Sequence, residues 1–200
     1  MEKSNYPVQF NVDYPNSLDK ARTFFRFILV IPIYIILALL TSRSNIALSA
    51  GSGILFLPTA LMIVFRQKYP RWWFDWNFSL LKLSNRISAY LLFLRDEYPS
   101  TDEEQAVHLK IAYPNVKKDL NRWMPLVKWL LAIPHYIVIS ILAIGMLVAI
   151  IIAWFSILFT GKYPRGLFDF VVGVLRWSNR IIAYALILTT DKYPPFSLKE

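Results

Sequence analysis

The chain has 200 residues, 56% of them hydrophobic and 16% aromatic, with a mean hydropathy of +0.42 and a formal net charge of +9. A soluble domain of this length has nowhere to hide so much apolar side chain, so the composition points to a membrane protein. The absence of cysteine excludes a disulfide scaffold, a thiol nucleophile and a Cys-ligated metal.

A strongly basic balance suits nucleic acid or an anionic membrane surface, and the distribution of charge decides between them. From Phe27 to Phe65 the only charged residue is Arg43, and from Trp129 to Gly161 there is none. Charge flanks two apolar blocks, so the expected partners are membrane lipids, anionic ones included, and not nucleic acid. The N-terminus "MEKSNYPVQF" lacks a basic segment followed by an apolar core, so the first apolar block reads as an uncleaved insertion signal.

In chain order, "VQFNVDYP" (Val8 to Pro15) alternates apolar and polar residues, the period of a half-buried strand. Phe24 to Leu40 and Ile46 to Phe65 follow as two apolar helical runs, each near the roughly 20 residues that a bilayer core demands, with "TSRSN" (Thr41 to Asn45) as the turn. Pro32 falls inside the first run and predicts a kink. "KYPRWWFDWNFSLLKLSNRISAY" (Lys68 to Tyr90) then places Arg71, Asp75, Lys82 and Arg86 in one narrow helical sector, with Asn85 beside it and Trp, Phe, Leu and Ile around the rest. Such a helix suits the membrane interface, apolar side down. "DEYP" closes this half, and the acidic "TDEEQ" is a solvated linker.

Everything then recurs. "VHLKIAYP" (Val107 to Pro114) matches the first strand-like segment and predicts that the two pair. "KWLLAIPHYIVISIL" matches "RFILVIPIYIILALL", setting Pro134 on Pro32. The apolar block from Trp123 to Gly161 must supply two helices with almost no loop, and the expected break is near Gly145. Such legs just span a bilayer, and a re-entrant hairpin stays open beside the favoured spanning one. "KYPRGLFDFVVGVLRWSNRIIAY" (Lys162 to Tyr184) restores the stripe with Arg165, Asp169, Arg176, Arg180 and Asn179, and "DKYP" closes the half.

The sequence therefore predicts a mainly α, polytopic membrane protein of two parallel repeats, residues 1–100 and 101–200. Each repeat holds a short β-like segment, a transmembrane hairpin (about 24–65 and 123–161) and an amphipathic interfacial helix (about 71–94 and 165–188). Nearly every Lys and Arg lies on one face with both termini, which the positive-inside rule makes the cytoplasmic face of the cell's inner membrane.

"AIPHYIV" and "AWFSILFTGKYPRGLFDFVVGVLRWSNRIIAYALILTTDKYPPFSL" resemble a family of prokaryotic integral membrane proteins catalogued only as a domain of unknown function, family 4389. The resemblance is close over Val107 to Leu198, and residues 8–99 look like a diverged copy of the same module. It implies a membrane location and supplies no settled activity, so no catalytic residue carries over. The first half departs from the pattern where Trp72-Trp73 replaces Gly166-Leu167 and Ile33 replaces His135.

No His, Asp or Glu cluster has metal-ligand spacing, and neither a glycine-rich phosphate loop nor a catalytic triad is present. No cofactor is implied, and an enzyme is not expected. Three readings of the Arg–Asp–Asn stripe stay open: internal packing and pairing, contact of Ser-Asn-Arg with lipid phosphate, and contact with a partner protein. The expected function is a non-catalytic membrane module acting as scaffold, accessory subunit or lipid-binding protein, with another membrane protein or a second copy of itself as partner. The alternative is a small oligomeric channel or transporter.

Overall fold

We describe the protein from a computed structural model, which covers residues 6–41 and 56–199. Its elements in chain order are β1 (Val8–Val12), α1 (Lys20–Leu29), α2 (Ile31–Thr41), α3 (Phe56–Leu61) running on through a π-helical turn at Met62–Arg66, and α4 (Arg71–Leu91). They continue with β2 (Val107–Ile111), α5 (Val116–Asp119), α6 (Met124–Leu131), α7 (Ile133–Thr160) and α8 (Arg165–Ile181), which ends in a π-helical turn at Ile182–Leu186. Thr41, expected to open the turn, ends α2, while Ser42 to Asn45, Arg43 among them, and most of the run from Ile46 lie outside the described residues.

The strand-like segments do pair. β1 and β2 form a two-stranded antiparallel sheet in which Phe10 faces Leu109, Val8 faces Ile111 and Val12 faces Val107. Val8, Phe10, Val12, Val107 and Leu109 are buried, while Gln9, Asn11, His108 and Lys110 on the other face are exposed. The period-2 pattern thus became one buried face and one wet one. Alignment sets Phe10 on Leu109, so the ladder is centred on a pair of matching residues.

The buried face of the sheet lies on α4 and α8, and those helices lie on the apolar helices. This corrects the interfacial expectation for 71–94 and 165–188. Phe74, Leu80, Leu81, Leu83 and Ile87 of α4, and Phe168, Val171, Val172, Val174 and Ile181 of α8, are buried inside the protein rather than turned to lipid. The amphipathic period was legible, but period alone does not say whether protein or lipid covers the apolar side.

The break near Gly145 is a second correction: α7 runs unbroken from Ile133 to Thr160, so residues 123–161 are not a hairpin. Glycine lowers helix propensity by only about 1 kcal/mol relative to alanine, and no proline or polar turn sits there to reverse the chain. A Cβ at Gly145 would lie 3.5 Å from the Phe170 ring, an ordinary van der Waals distance, so the residue sits at a packed helix contact. The interruption falls instead at Ala132, and in the first half at Val30, two residues before Pro134 and Pro32 respectively. Each proline sits in the first turn after its break, where the missing N–H costs least.

α7 ends on Gly161 with φ +70°, and the π turn after α3 ends on Gln67 with φ 47°. These residues occupy equivalent positions before Lys-Tyr-Pro-Arg, so both halves turn by the same left-handed step. From Tyr184 to Asp191 the second half has one residue more than the first has from Tyr90 to Asp96. The π-helical turn at Ile182–Leu186 absorbs it.

Candidate functional site

The residues of the repeated stripe divide into an outer and an inner set. Arg71 and Asp75 form an exposed ion pair at 3.1 Å, and Arg165 and Asp169 another at 3.1 Å. Each of these arginines also covers a tyrosine from the opposite half. The Arg71 guanidinium lies 4.8 Å from the Tyr113 ring, and that of Arg165 lies 4.6 Å from the Tyr14 ring. The Tyr113 hydroxyl donates to the Tyr69 carbonyl, and the Tyr14 hydroxyl to the Tyr163 carbonyl. Phe74 meets Tyr113 edge-on at 5.1 Å, and Phe168 meets Tyr14 at 5.0 Å. Lys-Tyr-Pro-Arg-x-x-Phe-Asp is therefore a receptacle for the Tyr-Pro that ends the other half's strand.

Asn85 and Asn179 meet face to face at the centre. Asn85 Nδ2 donates to Asn179 Oδ1 at 2.8 Å and Asn179 Nδ2 to Asn85 Oδ1 at 2.7 Å, while each amide also donates to the carbonyl four residues earlier. Arg86 and Arg180 are buried and directed inward. Arg86 donates to the Ser100 carbonyl, and Arg180 to those of Ser197 and Lys199. Arg176 is buried against the sheet, donating to the Phe10 carbonyl at 2.9 Å and the Leu198 carbonyl at 2.8 Å. Lys82, its counterpart, is half-buried with its ammonium 5.4 Å from the Phe78 ring. Of the three readings of the stripe, this inner set matches the internal one.

A second repeated constellation escaped the sequence reading. Arg26, fully buried, pairs with Asp96, donates to the Tyr90 carbonyl at 3.0 Å and lies 4.7 Å from the Tyr90 ring. Lys128, 1% exposed, pairs with Asp191 at 2.7 Å, donates to the Thr190 carbonyl at 2.7 Å and lies 5.2 Å from the Tyr184 ring. The same carboxylates accept the backbone N–H of Asp19 and of Asn121. Asp19 itself caps α1, its side chain accepting from the Arg22 N–H, which holds its carboxyl below the usual carboxylate range. The available signal was coincidence: Arg26 aligns with Lys128 as the last charge before each apolar block, and Asp96 with Asp191 in "DEYP" and "DKYP".

Among the described residues, the second half carries an aromatic knot around His135. His135 is fully buried, stacked on Phe196 at 4.1 Å, and its Nδ1 accepts from Trp177 Nε1 at 3.2 Å. Tyr69, which accepts from Asn77 and donates to the Ile187 carbonyl, has its hydroxyl pushed up to about 12, chiefly by burial, and burial raises Tyr163 as well. Among the described residues, no group of three or more His, Asp or Glu is placed to hold a metal ion.

Two helical segments, Lys20–Leu40 and Met124–Thr160, are long and apolar enough to cross a membrane. The most apolar window of each is only 22% and 11% buried within the protein. Phe24, Phe27, Ile28, Tyr34, Ile35 and Leu39 in the first, and Ile137, Ile141, Ile144, Leu147, Ile151, Phe155 and Phe159 in the second, face outward.

Residues 122–197 match the model of a family described as "Domain of unknown function (DUF4389)". No curated protein matches the chain, and no solved structure does.

Proposed function

We propose that this protein is a non-catalytic membrane module, in which two tandem repeats, residues 1–100 and 101–200, pack about a pseudo-two-fold axis and hold an apolar surface in the lipid of the inner membrane. It serves there as a scaffold or lipid-binding accessory protein with its termini on the cytoplasmic face. The observation that carries the membrane reading is the exposure of Met124–Thr160, a segment of mean hydropathy 2.9 that is 11% buried in its most apolar window. The core helix of a soluble protein shows the opposite, and an exposed apolar surface on this scale marks an interaction site. The repeat reading is supported by contacts that map onto one another when the halves are exchanged: Tyr14 to Tyr163 with Tyr113 to Tyr69, and Arg26 to Asp96 with Lys128 to Asp191.

The buried polar groups point to assembly rather than reaction. Asn85, Arg86, Arg176, Asn179 and Arg180 spend their hydrogen bonds on carbonyls and on each other. Purification of the full chain in mild detergent, with mass spectrometry of what accompanies it, tests the reading. A stoichiometric protein or a retained anionic lipid supports it. A chain that stays in the soluble fraction without detergent refutes the membrane placement, and a steady conductance in liposomes moves the function to the channel alternative.

A further inference from the structure

We infer that the two apolar segments do not cross the bilayer but lie along one leaflet, with the pseudo-two-fold axis parallel to the membrane normal and the two-stranded sheet facing water. This rests on the membrane reading above and specifies the surface that meets the lipid.

The geometry begins with the ends of the segments. Lys20 Nζ donates to the Phe159 carbonyl at 2.9 Å, and the Leu18 N–H to the Gly161 carbonyl at 2.9 Å. The start of the first segment therefore sits at the end of the second. Arg122 donates to the carbonyls of Val64 and Phe65, so the start of the second sits at the end of the π turn that closes the first half's apolar run. Lys20 aligns with Arg122, and Phe159 with Phe65, so exchanging the halves turns one contact into the other. A two-fold rotation keeps height along its axis. Arg122 is thus level with Lys20, and Lys20 touches Phe159, so both ends of the segment running from Arg122 to Gly161 share one height. Within it α7 is a single helix of 28 residues, about 42 Å long at 1.5 Å per residue. The eight residues of α6 are too short to undo a crossing of that length, so the segment lies roughly perpendicular to the axis.

The sheet fixes which way the axis points. For an antiparallel pair centred on Phe10 and Leu109, the axis runs through the sheet and leaves by its outer face. That face is Gln9, Asn11, His108 and Lys110, all exposed, with Asp13 bonded to His108 at 3.0 Å beside them. Were the axis in the membrane plane, with the apolar segments crossing, this charged patch would lie at mid-bilayer depth. Charge at that depth is strongly disfavoured because the hydrocarbon does not solvate it. With the axis along the normal the layers read sheet, α4 and α8, apolar segments, lipid. Exposed Lys20, Arg22, Arg66, Lys68, Arg122 and Lys162 then ring the apolar surface, with Trp72, Trp123 and Trp129, also exposed, at headgroup depth.

The chain has no cysteine, so single spin labels are directly placed. Ile137, Ile144 and Ile151 are exposed on one face of α7. With the full chain in mixed phosphatidylcholine–phosphatidylglycerol vesicles, the three labels should report one shallow depth. Cysteines at Arg66 and Lys162 should label with an impermeant maleimide in the same sidedness preparation, inside-out or right-side-out. A depth that changes steadily along α7, by up to about 21 Å over these 14 residues, means the helix crosses and overturns the inference while leaving the membrane reading intact. Labelling of Arg66 and Lys162 from opposite sides does the same. Labels that stay accessible to aqueous quencher, with protein failing to sediment with vesicles, overturn both. Labels shielded from both water and lipid-soluble oxygen, with dipolar coupling between chains, mean that a second copy covers the face.

Discussion

Replacing Asp191 with Asn tests whether the cation clusters hold each half together. The Lys128 ammonium is 1% exposed and has three neighbours: the Asp191 carboxylate at 2.7 Å, the Thr190 carbonyl at 2.7 Å and the Tyr184 ring at 5.2 Å. Asp191→Asn keeps shape and removes the negative charge paired with Lys128 among the described residues. Breaking a buried pair costs about 3–5 kcal/mol, because an uncompensated ion remains. The Asp191 side chain is 21% exposed, so water relieves part of this and the low end, about 3 kcal/mol, applies. For a chain of this length that is a fall in Tm of roughly 6–12 °C, read by tryptophan fluorescence on heating in mild detergent. Lys128→Met combined with Asp191→Leu should cost less than Asp191→Asn alone, since both charges go together. Asp75→Asn breaks a pair whose partners are 67% and 52% exposed, and it is the control, expected to shift stability by about 0.5 kcal/mol or less. Equal shifts for Asp75→Asn and Asp191→Asn would refute the assignment of stability to the buried cluster.

Asn85→Leu alone removes the partner of Asn179 Oδ1 and of one Nδ2–H and should cost about 1–3 kcal/mol, whereas Asn85→Leu with Asn179→Leu should cost less than the sum of the singles, measured as a thermal double-mutant cycle. Burial raises the Tyr69 hydroxyl from its ordinary 10.0 to about 12, so its contribution is fully present below pH 10 and lost as pH rises through 12. An alkaline ultraviolet titration should therefore show tyrosines that ionise only with unfolding, and Tyr69→Phe should remove one of them; smooth titration of every tyrosine near 10 would contradict the burial. Gly173→Ala would place a methyl 2.9 Å from Leu198 Cβ and 3.0 Å from its carbonyl oxygen, displacing the segment that Arg176 holds. A loss of about 1–3 kcal/mol and faster proteolysis of the C-terminal residues are expected, and unchanged proteolysis would show that the segment is not packed there.

Elements whose own short pattern defines their buried face were legible in the sequence. The alternation in "VQFNVDYP" and "VHLKIAYP" located both strands, and their likeness predicted the pairing, because a two-stranded ladder needs only matched faces. The helices after Lys-Tyr-Pro-Arg begin at Arg71 and Arg165, the starts expected, each directly after a proline that suits a helix entry. What stayed open or was missed were judgements that need a third body. A charged stripe on an apolar helix is one pattern whether its arginines meet water, phosphate or carbonyls, and here Arg86 and Arg180 meet carbonyls supplied from 14 and 17 residues away. Gly145 looked like a turn because helix propensity is a local quantity, whereas α7 is held by Ala149, Ala153 and Ile157 packing on the core under α8. The pairs Arg26–Asp96 and Lys128–Asp191 were invisible as pairs, since 70 and 63 residues separate their members.

The recurrence of Lys-Tyr-Pro-Arg-x-x-Phe-Asp in both halves has a physical answer in the exchange of contacts. A receptacle that bound its own half's Tyr-Pro would make each half self-sufficient, and the two could drift apart. Instead Arg71 and the Tyr69 carbonyl take Tyr113, while Arg165 and the Tyr163 carbonyl take Tyr14. Each half is thus completed by the other, and Asn85 and Asn179 bond to one another across the shared centre. Cutting the linker between the halves, within Thr101 to Gln105, should leave them associated, because Tyr14, Tyr113 and the β1–β2 ladder cross between them without it. Co-expressed halves that separate on a sizing column in mild detergent would show that the covalent link, not the exchanged contacts, holds the module together.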